Sequence, residues 1–163
     1  MITRLFAEFL DRLVQEVLAF YGDRLISVVV FGSVGRGAPR PDSDIDLLLV
    51  VDPLPAGRMK RVEEFAAVEE RLVEQLQALK TSGIDTIISP VFKTPAEVAM
   101  GSPLFLDMIE EARILFDRQD FFRQYLQGLK NKLENLGARK VQYRGAWYWD
   151  LKPNYKKGDV IEL

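Results

Sequence analysis

The sequence predicts an α/β (α+β) chain: a small mixed β-sheet flanked by helices, with a C-terminal helix and an irregular tail. Three observations carry this. Ile26-Ser27-Val28-Val29-Val30 and Leu47-Leu48-Leu49-Val50-Val51 are apolar, β-branch-rich runs of the kind that form strands buried on both faces. Stretches with apolar residues at helical spacing precede, separate and follow them. The order helix, strand, strand, helix, strand, helix, strand, helix builds a sheet layered with helices.

Taken in order, residues 2–20 place Leu5, Phe6, Phe9, Leu10, Leu13, Val14, Val17 and Leu18 on one helical face, and Gly22 stops the helix. Leu25 to Phe31 is a strand. Gly32 to Pro41 is turn-rich, with a helical turn starting near Ser33. Ile45 to Val51 is the second strand, ended by Asp52-Pro53. The connection between these strands is too short for a crossover helix with its loops and leaves their relative direction open. Arg58 to Lys80 is expected as one long amphipathic helix, with Val62, Phe65, Ala66, Val68, Leu72, Val73, Leu76 and Leu79 on its apolar side. After Gly83, Ile84-Asp85-Thr86-Ile87-Ile88 opens a third strand running toward Phe92. Thr94-Pro95-Ala96-Glu97 has the cap, proline and glutamate of a helix start. Leu104 to Glu111 is a short helix, Arg113 to Phe116 a short strand, and Asp117 to Leu136 an amphipathic helix closed by Gly137. Arg139 to Lys157 interleaves Tyr143, Trp147, Tyr148, Trp149 and Tyr155 with basic residues. We expect residues 1–117 to form the core and 118–163 a helix and aromatic, basic tail packed on it.

Composition narrows the chemistry. The 163 residues are 48% hydrophobic and 28% charged, enough apolar material for a core. The net charge of −2 gives no global basic footprint for nucleic acid. There is no Cys and no His, so any metal is held by oxygen and any general base is Asp, Glu, Lys or Tyr. No apolar run approaches the ~20 residues that span a bilayer, and no signal peptide is visible, so a cytoplasmic setting is expected.

The chemistry-bearing run is Phe31-Gly32-Ser33-Val34-Gly35-Arg36, followed by Ser43-Asp44-Ile45-Asp46-Leu47. A Gly-Ser turn leaves one strand, and two carboxylates at i and i+2 open the next. Side chains two apart on a strand share a face, so the Asp44 and Asp46 Cα atoms are roughly 6–7 Å apart. Their charges repel unless a cation lies between them, and a hard divalent cation with oxygen ligands suits the pair.

The whole run, Gly32-Ser33 to Asp44-Ile45-Asp46, resembles the signature of the DNA polymerase β-like nucleotidyltransferase superfamily, and within it the minimal nucleotidyltransferases of prokaryotes. The resemblance covers about residues 1–117. It implies a nucleotidyltransferase fold and a Mg²⁺-dependent enzyme that moves a nucleoside monophosphate, AMP from ATP or another NTP, to a hydroxyl. It further implies that Asp44 and Asp46 bridge two Mg²⁺ ions, that Gly32, Ser33 and the following amides hold phosphates, and that Arg36 orients the loop or contacts phosphate. A third carboxylate on a neighbouring strand is part of that pattern, and Asp85 is the candidate, as metal ligand and catalytic group. Small relatives act as antitoxins on a HEPN-domain partner, which they modify with AMP. This makes a HEPN-type protein the expected partner, with no membrane, no direct nucleic-acid role, and the oligomeric state, homodimer included, left open.

Two other classes remain. One is a non-catalytic nucleotide-binding or antitoxin interaction module, favoured if Asp85 lies away from the pair. The other is a small-molecule, antibiotic-type nucleotidyltransferase, which needs an acidic acceptor pocket. Plainer structural readings apply elsewhere. Asp42 is a solvent-facing turn residue, and the Glu63, Glu64, Glu69, Glu70 and Glu74 set is a solvated helix face. Trp147 and Trp149 are expected to cap an apolar patch, with a docking surface as the alternative.

Overall fold

A computed structural model describes residues 1–163. The chain runs α1 (Ile2–Tyr21), β1 (Leu25–Phe31), α2 (Gly32–Gly35), β2 (Ile45–Val51), α3 (Arg58–Arg71), α4 (Val73–Thr81), β3 (Ile88–Lys93), α5 (Pro95–Met100), α6 (Leu104–Glu111), β4 (Arg113–Asp117), α7 (Phe121–Leu136), β5 (Arg139–Tyr143) and β6 (Ala146–Asp150). Strands β3-β2-β1-β4 form a mixed sheet, and β5-β6 a separate hairpin. β1 is antiparallel to β2 and to β4, while β2 and β3 are parallel. The direction that the sequence left open between β1 and β2 is therefore antiparallel. No helix is long and apolar enough to cross a membrane.

The central strands are apolar throughout because both faces are covered. Val28 and Val30 of β1 and Leu47, Leu49 and Val51 of β2 pack against Phe6, Leu10 and Leu13 of α1 and Phe65 and Val68 of α3. Val29, Leu48 and Val50 face the other way, into Val98, Phe105, Met108, Phe122 and Leu129 of α5, α6 and α7. Asp46, two residues before Leu48, shares this second face. α7 is thus part of the second helical layer, with Phe122 fully buried.

Several elements depart from the sequence reading: the tail, expected as irregular, forms the β5–β6 hairpin, and the helix expected from Asp117 starts at Phe121, because Asp117 closes β4. The long helix breaks at Leu72 (φ −108°, ψ 2°), a fully buried residue. The break re-aims the face that follows, and Val73, counted as apolar-side, is 59% exposed. The third strand starts at Ile88, not Ile84. Residues 84–87 run beside the loop before β2 instead: the Asp85 N–H donates to Pro41 O (2.9 Å) and the Thr86 hydroxyl to Ser43 O (2.6 Å). Finally, Trp147 does not cap the core. It pairs with Gln142 next to the Arg144-Gly145 turn and is 59% exposed. Trp149, further from the tip, is partly buried.

β3 is an edge strand, and its free edge is blocked. Arg61 Nη1 donates to Phe92 O (3.2 Å), so that carbonyl points away from β2. Two residues earlier, on the same side, Pro90 has no N–H to offer. Arg61 also donates to Pro55 O (2.7 Å) and to Glu97 Oε1 (2.8 Å). Glu97 in turn completes a capping box with Thr94 at the start of α5.

Candidate active site

β1 ends at Phe31, the register partner of Asp46. The chain then turns at once into α2. Gly32 has φ +67°, and a Cβ built there would overlap the Asp46 carboxylate. Glycine is therefore required for two reasons, a left-handed backbone and the close approach of loop and carboxylate. Gly35 is required for a third: a Cβ would lie 2.7 Å from both Val30 O and Glu111 O, so α2 could not sit against β1 and the end of α6. The first N–H groups of α2 have no partner within the helix.

The loop is tied to β2 through Ser43, which is 4% exposed. Its Oγ accepts from Ser33 Oγ (2.9 Å) and from the Arg40 N–H (2.8 Å). Ser33, expected at phosphate, donates its hydroxyl to the loop's own framework. Arg36 leans the other way, with Nη1 3.3 Å from Glu111 Oε2. The second Glu111 oxygen lies 4.0 Å from Lys140 Nζ of β5. The glutamate at the end of α6 therefore links the loop to the hairpin.

Asp44 is exposed just before β2, and Asp46 is half-buried at its start. Burial, and then the Asp44 charge, hold the Asp46 carboxyl above the usual carboxylate range, while Arg36 pulls it back down. The carboxylate is thus short of positive charge, and a cation between the two Asp residues would supply it.

Asp85 is not brought to the pair. It is exposed, four residues before Ser89, and Ser89 is the β3 partner of Asp46. At the strand rise, that separation is about 13 Å along the chain. No group of three or more acidic side chains is placed to hold a metal ion. Asp42 is exposed and pairs with Arg40 (3.4 Å). Glu64 belongs to an ion pair with Arg24 (2.7 Å). Glu111 and Ser89 carried no signal in the sequence, since one lies at a helix end and the other inside an unremarkable strand.

Gly32 thus presses the first turn of α2 against Asp46, at the end of a mixed sheet where Asp44 and Asp46 stand two residues apart. The nucleotidyltransferase domain family matches residues 10–159, and the chain belongs to that family. It is 30% identical over 140 residues to a candidate protein adenylyltransferase of Methanocaldococcus jannaschii, MJ1305, covering 85% of this chain and 90% of that one. Among solved structures, it is similar to a chain of a toxin–antitoxin complex with AMP-PNP (TM-score 0.52, 16% identity, 77% of this chain and 87% of that one). It is likewise similar to a chain of a substituted toxin–antitoxin complex, MntA–HpeT (TM-score 0.51, 14% identity, the same coverage). These two likenesses show the fold.

Proposed function

We propose that the protein transfers AMP from ATP to a hydroxyl on a partner protein, a HEPN-type toxin for which it acts as antitoxin. The observation that carries the reading is Gly32 packed on the Asp46 carboxylate, which brings the free amides of a helix turn close to the carboxylate pair. The displaced Asp85 favours the non-catalytic reading, but the family match, the relative named for protein adenylylation and the AMP-PNP-containing structural relative support adenylyl transfer to protein over it.

In the reaction the acceptor oxygen attacks the α-phosphorus, the bond to the β-phosphate oxygen breaks, pyrophosphate leaves and the acceptor proton is lost. The α2 amides would hold the departing phosphates. Asp44 and Asp46 would hold Mg²⁺; their oxygen-only donor set and the charge deficit at Asp46 fit that ion. When bound, Mg²⁺ would neutralise charge developing on the phosphoryl oxygens. Arg36, anchored by Glu111, keeps a positive charge near Asp46 and the loop in place. Residues 1–117 would carry the chemistry, while α7 of 118–163 closes the second face of the sheet.

The test is transfer of label from α-³²P-ATP, GTP, CTP and UTP into a co-expressed HEPN-type protein, with Mg²⁺ and EDTA arms. Transfer from ATP that is lost in EDTA and in Asp46→Ala is the expected result. Label moving equally well in Asp46→Ala would overturn the assignment of the pair.

A further inference from the structure

The donor set around Asp46 has a gap at one defined position. β2 and β3 are parallel and in register, with Asp46 beside Ser89 and Leu48 beside Val91. Leu48 and Val91 both belong to the layer on the α5–α7 side, so Asp46 and Ser89 share that face as well. Neighbouring strands lie about 4.8 Å apart, so position 89 is where a side chain would join Asp46 in holding an ion. A hydroxyl stands there, and it is exposed. The other candidate acid, Asp85, is held beside Pro41 by its own N–H. Glu111 is taken up by Arg36 and Lys140.

Two divalent ions set 3.5–4 Å apart, as two-metal sites place them, repel strongly and need several anionic ligands to hold them. Without the nucleotide's phosphates, two carboxylates on this face balance the charge of one ion. We infer that the protein holds a single divalent cation on Asp44 and Asp46, and that Ser89 is the residue that limits the site to one. This rests on the nucleotidyltransferase reading for the presence of a metal, and departs from the two-ion expectation. It also means that the chain presents no β3 carboxylate to take the acceptor's proton.

The test counts metal rather than turnover. Mn²⁺ is titrated into the full chain and followed by electron paramagnetic resonance, first alone and then with AMP-PNP after subtraction of a nucleotide-only control. The wild type is expected to bind one Mn²⁺ per chain in the metal-only arm, Asp85→Asn to bind the same with unchanged affinity, and Asp46→Asn to bind none. Ser89→Asp is expected to tighten Mn²⁺ at least tenfold or to add a second ion. Two ions in the wild-type metal-only arm, or loss of an ion in Asp85→Asn, would overturn the inference, as would a wild type that binds none; an ion added only with AMP-PNP is the expected nucleotide-borne one. Because Asp85→Asn and the wild type are decisive alone, misfolding of Ser89→Asp does not rescue it. Failure of adenylyl transfer with one Mn²⁺ bound would instead count against the proposed reaction.

Discussion

Ser33 and Ser43, ten positions apart, meet through their hydroxyls at 2.9 Å and bind the first turn of α2 to the residue preceding Asp44. The bond explains why both ends of the motif carry serine. Ser43→Ala would strip an acceptor from Ser33 and from the Arg40 N–H in a site that is 4% exposed. A cost of about 1–2 kcal/mol is expected in urea unfolding. Because the loop then drifts from the carboxylates, KM for ATP should rise. An unchanged KM in a folded Ser43→Ala protein would show that the bond does not position the loop.

The glycines separate space from backbone. Gly32→Ala places a methyl group into the Asp46 carboxylate, so nucleotide transfer should fall at least a hundredfold even where the protein folds. Gly37→Ala meets nothing within 4 Å and suffers only from its φ of +75°, roughly 1–2 kcal/mol of stability. Transfer assays and thermal melts should therefore show Gly37→Ala losing stability while keeping transfer, and Gly32→Ala losing both.

Asp46 makes the metal-free protein sensitive to pH. Its carboxyl is held above its ordinary value of 3.8, so the folded state prefers the protonated form. Stability from this group is present below the unfolded carboxylate range and is lost as pH rises through the raised folded value. In EDTA, Asp46→Asn should therefore be more stable than wild type at pH 7, with the difference closing near pH 4. Glu97 has the opposite sign. The Thr94 N–H first, and then Arg61, hold it below 4.5, and its contribution is lost as pH falls through that lowered value. Melting curves from pH 3 to 8 on wild type, Asp46→Asn and Glu97→Gln check both directions.

Asp117 joins β4 to α7. It accepts from the fully buried Ser27 hydroxyl (2.6 Å) and from the N–H groups of Phe122 (3.0 Å) and Arg123 (2.9 Å). Asp117→Ala leaves all three without an acceptor and is expected to cost roughly 2–3 kcal/mol. Ser27→Ala together with Asp117→Ala should cost less than the two single losses added, which a double-mutant cycle measures.

The two central strands and the turn between them follow from local residue choice, because a strand buried on both faces must be apolar and a turn against a carboxylate must be glycine. The same holds for α5, whose Thr94 and Glu97 form both bonds of the box. What sequence patterns miss is who the neighbour is. Ile84 to Ile87 has the composition of a strand, yet the chain alongside is the loop at 41–44, so no ladder forms until Ile88. Leu72, fully buried, breaks its helix with neither Gly nor Pro to mark the place. Ser89 gains meaning only from its register with Asp46, and Glu111 only from the approach of Arg36 and Lys140 to one helix end.

The blocked edge of β3 bears on how a protein acceptor can reach the site. Asp46 lies one strand in from that edge, so the simplest docking mode would add the acceptor's backbone to β3 as a fifth strand. Pro90 withholds a donor and Arg61 already occupies the Phe92 carbonyl. Pro90→Val should reopen part of the edge and raise light scattering on warming. With the edge closed, the hydroxyl is expected to arrive end-on, from the tip of a loop or the terminus of a helix. Acceptance would then depend on how far a side chain protrudes and little on the backbone sequence around it.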